Sequence, residues 1–312
     1  MSQLLAIVIH TYRSRFIAKT LDALLTQSSH EFNLYIGDDH SPDDIESIVN
    51  PYAEKLKIEY KRFPENVGQK SLTKHWERCI KMAQEEHWIW LLPDDDVPNS
   101  ECVATFLNAI NTKEVLAKVF RFQTVHINVD DEVIFQPVLC PTKESNVDFI
   151  LKKMRYERNS SVAEYIFDKA EYYKVERFTD IPMGWCSDDM MWIKLSQQHD
   201  IETLPAGVVQ LRQSDVNISS NNRKHYEVKL NAKYTFLQRL FQDRAFMKKV
   251  EATYSIERFK KEVTTHLFNE FKGYSKRFLN SDIFSYAKRN DELIGGGFLK
   301  NIYRLLRYQI KK

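Results

Sequence analysis

Glycine and proline are scarce, at 8 and 9 residues in a chain of 312. That scarcity excludes collagen-like, low-complexity and loop-dominated architectures. No glycine lies between His10 and Arg15, so the first polar turn is not a glycine-rich phosphate loop. The four cysteines (Cys79, Cys102, Cys140 and Cys186) are far apart and form no Cys-x-x-Cys pair. A disulfide framework and a cysteine-based zinc site are thereby excluded, and the thiols read as core residues of a reducing compartment. Long apolar runs are also missing. Met1 to His10 has no cationic start and too short an apolar stretch for a signal peptide, and Trp88 to Leu92 is too short to span a bilayer. The expected location is the cytoplasm, with attachment to the inner face of the cell membrane left open.

Charge is unevenly placed. The net charge is +2, yet residues 221–312 hold 21 Lys and Arg against 9 Asp and Glu, whereas residues 1–220 hold 24 against 34. The basic end is a candidate for contact with an anionic lipid surface, a nucleic acid or a second chain, or it is simply a solvated helical surface. It carries no helix-turn-helix or RNA-recognition signature, so nucleic acid is disfavoured.

Residues 1–110 alternate between two patterns. Leu4 to Ile9 is a continuous apolar run, as for a strand buried on both faces. Phe16, Ile17, Leu21, Leu24 and Leu25 then form a helical stripe. Phe32–Ile36, Lys57–Arg62 and Trp88–Leu92 read as further strands, with helices beginning near Asp43, near Leu72 and at about Ser100. This β-α order predicts an α/β fold, a mostly parallel Rossmann-like sheet with helices on both faces. Val119–Asn128 and Glu132–Pro137 read as a hairpin around Asp130-Asp131. A mixed segment then leads to a helix from about Asp188 to Gln198 and a last strand, Val208–Leu211. From Arg223 the chain reads as basic amphipathic helices interrupted at Gly273 and at Gly295-Gly296-Gly297.

Ligands bind beyond the carboxyl ends of strands in such sheets. Three polar clusters fall there: Thr11-Tyr12, Asp38-Asp39 and Asp94-Asp95-Asp96. They are expected to converge on one cleft. Three adjacent carboxylates repel one another, and an oxygen-preferring divalent cation relieves the conflict; an acidic first helical turn is the alternative. Asp38 and Asp39 suit ribose hydroxyls or a base N–H, or equally a helix cap.

His10-Thr11-Tyr12, Leu25-x-Gln27, Asp38-Asp39-x-Ser41, Asn66-x-Gly68 and Leu92-x-Asp94-Asp95-Asp96 occur in an order and spacing that resembles family 2 glycosyltransferases of the GT-A fold. The resemblance is firm over about residues 3–110 and loose over 110–220. It implies an inverting enzyme of the bacterial polysaccharide type, hexosyltransferase in kind. Residues 1–220 would form the GT-A domain (1–110 for the nucleotide-sugar, 111–220 for the acceptor) and 221–312 a basic helical extension.

By position, the resemblance makes Thr11, Tyr12, Asp38, Asp39, Asn66, Gly68, Asp94 and Asp95 the donor-binding residues. Asp94-x-Asp96 becomes the element holding Mn²⁺ or Mg²⁺, with the metal pair among the three aspartates left open and Pro93 standing where some relatives are acidic. Ser187-Asp188-Asp189 through Lys194 resembles the Glu-Asp-x-x-Leu-Trp-x-Arg segment, so Asp188, or Asp189 in a shifted register, is the expected catalytic base. Arg212-x-Ser214-x-x-Asn217-x-Ser219 resembles a loop that commonly carries a histidine where Ser214 stands, and so supplies no third metal ligand here. The expected donor is a UDP-sugar and the expected acceptor a hydroxyl of a growing or lipid-linked glycan. Peripheral membrane contact or a homodimer through the basic helices is the accompanying expectation. A nucleotidyltransferase and a non-catalytic nucleotide-sugar or glycan-binding protein are the rival readings.

Overall fold

The predicted strand runs assemble as a parallel set. Strands β1 (Leu5–Thr11), β2 (Phe32–Asp38), β3 (Ile58–Arg62) and β4 (Trp88–Pro93) lie in the order β3-β2-β1-β4, with β1 parallel to both β2 and β4 and β2 parallel to β3. This is a computed structural model that describes residues 4–111, 115–215, 217, 225–274 and 280–310. Helices α1 (Ile17–Leu25), α2 (Ile45–Val49) and α3 (Leu72–Ile80) make the crossovers. Alternation along β1 decides what each face meets. Leu5, Ile7 and Ile9 join Leu21 and Leu24 of α1, Trp90 and Leu92 of β4, and Phe106 of α4 (Cys102–Asn111) in one buried core. The intervening His10 faces α3, its ring centroid 5.7 Å from that of Trp76.

The second half of the sheet is mixed. Strands β5 (Val97–Pro98), β6 (Val119–Ile127), β7 (Val133–Phe135), β8 (Lys143–Glu144), β9 (Tyr165–Asp168) and β10 (Ile201–Arg212) extend the order to β3-β2-β1-β4-β9-β6-β10-β5, with β7 beside β6 and β8 beside β10. β10 runs parallel to β6, while β9 lies antiparallel between β4 and β6. Most paired residues sit in parallel ladders, so the mostly parallel α/β sheet expected from the sequence is present. The hairpin around Asp130-Asp131 is also present, as β6 paired antiparallel with β7.

Much of this half was not read from the sequence, including β5, β8, β9, the start of β10 and the helices α5 (Asn146–Met154) and α6 (Lys169–Lys174). β9 is only four residues long, too short to show periodicity. β10 begins seven residues before Val208, because its pairing with β6 resumes upstream of a register shift between Leu204 and Val208, where Pro205 has no N–H to donate. Helix α7 (Ser187–Leu195) completes this part.

The chain packs as two units, Met1–Asn146 with Asn159–Asn221, and Val147–Arg158 with Asn222–Lys312. The second unit is helical: α8 (Tyr226–Gln242), α9 (Arg244–Thr253), α10 (Ile256–Tyr274), α11 (Asn280–Ile294) and α12 (Phe298–Ile310). Phe246, Val250, Phe259 and Val263 are fully buried. Val147–Arg158 comes to it from far upstream, held by Arg155–Glu262 at 2.7 Å and by the Tyr156 hydroxyl donating to Glu270 at 2.7 Å. Glu270 is paired also with Lys233. The helix α10 runs through Gly273, while Gly295, Gly296 and Gly297 all take positive φ between α11 and α12. Among the described residues no helix is long and apolar enough to cross a membrane.

Candidate active site

Thr11, the last residue of β1, ties the strand-end clusters together. Its carbonyl accepts the Asp39 N–H at 2.9 Å, and its hydroxyl donates to Asp94 Oδ2 at 2.5 Å. Parallel pairing makes this possible, since β1 registers His10 against Gly37 on one side and Pro93 on the other. Tyr12 comes next at the mouth, 38% exposed, and its carbonyl accepts from the Ser41 hydroxyl.

Asp38 and Asp39 are both buried but differently employed. Asp38 accepts from the Ser41 N–H at 2.7 Å and the Tyr60 hydroxyl at 2.7 Å, with Arg62 at 3.6 Å. Asp39 accepts the N–H groups of Val67 at 2.9 Å and Gly68 at 2.8 Å, and an N–H of Arg78. Burial raises the Asp39 pKa, against the pull of those N–H groups and the Arg78 cation. His75 lies 3.5 Å away but is held neutral, first by burial and then by the nearby His10 and Arg78.

Gly68 is dictated by this cradle, since a Cβ there would run into Asp39 Oδ2. Asn66 shapes the turn by accepting the Gln69 N–H at 2.9 Å. The pair Asn66 and Gly68 is therefore brought to Asp39 through the backbone of the turn.

The Asp94–Asp96 run caps β4. The Thr20 hydroxyl on α1 reaches the carbonyls of Asp94 and Asp96, each at 3.0 Å. Gln27 pins the chain just beyond the aspartates, donating to the Asn99 carbonyl at 2.7 Å and accepting the Val103 N–H at 3.1 Å. Within this frame the carboxylates separate. Asp96 is 5% exposed and accepts the Arg212 N–H at 2.9 Å, while Asp94 and Asp95 are less completely buried.

All three have raised pKa values. Burial is the largest cause in each, and for Asp94 and Asp96 repulsion from Asp95 adds to it. The buried Arg212 is the counterweight: its Nε donates to the Asp95 carbonyl at 3.0 Å, one terminal nitrogen to the Asn128 carbonyl at 2.9 Å, and the other pairs with Asp131 at 2.6 Å. Asn217 donates to the Asp95 carboxylate and to the Arg212 carbonyl. Ser219, the last position of that loop motif, lies outside the described residues.

Two partly buried carboxylates whose ionisation is resisted make a donor set that fits a hard divalent cation. Mg²⁺ commonly takes one or two carboxylates and completes its shell with phosphate oxygens and water. Among the described residues no group of three His, Cys, Asp or Glu side chains is arranged as an all-protein cage.

Asp188 and Asp189 open helix α7. Asp188 is partly buried, and Asp189 is 3% exposed. The segment before them is fastened to the start of α3. Ser71 and Thr73 both donate to Asp180 Oδ1, at 2.8 and 2.7 Å, and Gly184 (φ 67) packs where a Cβ would meet Leu72 and Trp76. Because α3 also carries His75 and Arg78, one helix joins the Asp39 cradle to the turn that delivers Asp188.

The sequence pattern of Glycosyl transferase family 2 matches residues 6–163, a span that takes in the strand-end clusters just described and about half the chain. The chain belongs to glycosyl transferase family 2. No curated protein matches this family member by sequence. Among solved structures it is similar to residues 1–349 of S. aureus TarS in complex with UDP-GlcNAc, with a TM-score of 0.62 and 16% identity over 98% of this chain and 90% of that one. The UDP complex of the same TarS piece gives 0.59 and 17% with the same coverage. Against a longer TarS chain the values are 0.56 and 16%, covering 98% of this chain and 54% of that one. At such identities the likeness establishes the fold: the GT-A-like α/β architecture with C-terminal helices.

In this glycosyltransferase Thr11, Tyr12, Asp38, Asp39, Asp94, Asp95 and Asp96 stand at the carboxyl ends of β1, β2 and β4, and Asn66 and Gly68 lie in the turn after β3 that reaches Asp39. Asp188 and Asp189 join them only through α3. Arg78, Thr20 and Asp180 were not singled out from the sequence. The one available signal was for Arg78, which shares a helical face with His75 three residues earlier.

Proposed function

We propose that the chain transfers a sugar from a nucleoside-diphosphate donor, UDP in kind, to an acceptor hydroxyl with inversion at the anomeric carbon. The observation that carries this reading is Thr11, which bonds the nucleoside-side Asp39 through its carbonyl and the acidic Asp94 through its hydroxyl. The two ends of a nucleoside diphosphate are thereby provided for in one cleft. The TarS structures bound to UDP-GlcNAc and to UDP support the donor class.

Asp39 would accept from the nucleoside, its orientation held by the Val67 and Gly68 N–H groups, while Tyr12 covers the mouth. Asp94 and Asp95 would hold Mn²⁺ or Mg²⁺, with Asp96 bracing the strand end through Arg212. When bound, the cation supplies charge neutralisation for the diphosphate. Asp188, partly buried at the start of α7, would take the acceptor proton as the acceptor oxygen bonds the anomeric carbon and the nucleoside diphosphate departs; Asp189, almost fully buried, would position it. The acceptor proposed is a growing or lipid-linked glycan. The exposed Arg258, Lys260 and Lys261 on α10 support an approach to an anionic membrane surface at the cell's inner face.

The test is nucleotide release from a panel of UDP-, GDP- and TDP-sugars, with and without Mn²⁺, by the wild type and Asp95→Asn. Metal-dependent release from one donor, lost in the variant, is the expected result. Binding without turnover, even with a glycan acceptor mixture, would instead favour a non-catalytic nucleotide-sugar-binding protein. Retained anomeric configuration in the product, read by NMR, would overturn inversion.

A further inference from the structure

The hairpin of β6 and β7 turns large apolar side chains outward. Val133, Ile134 and Phe135 of β7, with Val138 and Leu139 just beyond, are each 50% to 79% exposed. Residues 128–142 also carry Asp130, Asp131 and Glu132 but no lysine or arginine. The run is pinned at both ends. Asn128 accepts the N–H groups of Asp130 and Glu132 at 2.9 and 3.0 Å, and Asp131, at φ 68, is paired with Lys19 at 2.5 Å and Arg212 at 2.6 Å. At the far end the Gln123 amide accepts the Cys140 N–H at 2.9 Å and donates to its carbonyl at 3.2 Å. Large exposed apolar patches mark surfaces that bind something, and a segment already held in place costs little to order on binding.

Helix α12 presents a surface of matching character. Asn301 and Leu305 are buried in the helical unit, whereas Leu299 and Tyr303, one turn apart, are 78% and 64% exposed. Lys300 and Arg304 form the adjacent row, the first exposed and the second partly so. No Asp or Glu stands between Phe298 and Ile310.

We propose that the β6–β7 hairpin of one copy docks on α12 of a second copy of this chain. Apolar residues then cover apolar residues, and the acids Asp130 and Glu132 meet the bases Lys300 and Arg304. The same complementarity runs through the whole chain. Residues 1–220 hold 24 Lys and Arg against 34 Asp and Glu, and residues 221–312 hold 21 against 9, so the acidic part of one copy attracts the basic part of another. An anionic bilayer suits α12 but repels the acidic hairpin and leaves its apolar run in water. Addition of a strand along β7 is disfavoured by Pro137, which has no N–H to donate.

Sedimentation velocity of the full chain over about a hundredfold range of concentration tests this. The mean mass is expected to rise above that of a single chain with concentration, and to fall back as NaCl is added. Leu139→Asp and Leu299→Asp should each weaken association by about tenfold or more, with the melting temperature unchanged because both side chains are exposed. Asp130→Lys and Lys300→Glu should each weaken it by about threefold, and the two combined should recover most of the loss. If a variant fails to fold by thermal melting, Val138→Asp or Tyr303→Asp on the same surfaces replaces it. A wild type that remains a single chain at every concentration overturns the proposal. Association that the hairpin variants leave intact, or a charge-reversed pair with no recovery, overturns it as well. A single chain that instead co-sediments with phosphatidylglycerol vesicles, and loses this in Leu299→Asp, assigns α12 to lipid and overturns it too.

Discussion

Two acidic runs, Asp38-Asp39 and Asp94-Asp95-Asp96, both end strands of the same parallel sheet, yet the protein treats them in opposite ways. The first is fully employed: Tyr60, Ser41 and Arg62 surround Asp38, and two backbone N–H groups and Arg78 surround Asp39. The second is left in conflict, with Arg212 the cation beside it and every carboxyl resisting ionisation. Acidic residues at a strand end are therefore not one kind of feature. Those paired within the chain are held by it, and those left mutually repelling are the ones proposed to hold a cation.

That contrast is open to attack by mutation. The largest effect expected is on turnover. Asp95→Asn should lower metal-dependent donor turnover by about 10²- to 10³-fold without lowering the melting temperature, because it relieves repulsion. A melting temperature that falls by several degrees would break the comparison.

Asp38→Ala should do the reverse. Stripping partners from Ser41, Tyr60 and Arg62 should cost about 3 kcal/mol of stability, measured from denaturant midpoints. Gly68→Ala acts between the two, since its Cβ displaces Asp39; nucleotide affinity should fall about tenfold, read by calorimetry, with Mn²⁺ dependence unchanged.

The smallest effect is in pH. Asp94 and Asp95 have folded pKa values raised to about 7 and about 6, above the unfolded value of about 3.9. The folded state then binds more protons, so the stability they contribute is complete below about pH 4 and is lost as pH rises through about 6 to 7. After solvent screening this should amount to roughly 1 kcal/mol, seen as a melting temperature that declines over that range. Mn²⁺ should reverse the decline at pH 7.5 and do little at pH 5. A melting temperature that instead rises between pH 5 and 7.5 without metal would show that these carboxylates are already paired.

Legibility from sequence tracked the range of the interactions involved. Leu4 to Ile9 and Trp88 to Leu92 announce themselves because a strand buried on both faces must be apolar throughout. The acidic clusters were placed at strand ends by the same reasoning. Tyr165–Asp168 was not legible as a strand. Its identity comes from β4 and β6, which flank it in space but lie some forty to eighty residues away. The packing of Val147–Arg158 in the helical unit is equally non-local, resting on partners at Tyr254, Glu262 and Glu270.

The candidate site divides along the same line. Thr11, Asp39 and Asp94 could be named from a strand-end pattern, because β-α alternation brings consecutive parallel strands side by side in a limited set of arrangements. The sequence by itself thus determined the sheet's leading half and the placing of the polar clusters at its strand ends. Only the tertiary structure decided that Asp96 turns inward to Arg212 while Asp94 and Asp95 stay partly accessible, and that His10 faces Trp76. Burial, charge compensation and hydrogen-bond satisfaction are properties of neighbours in space, and these neighbours are supplied by chain segments more than sixty residues away.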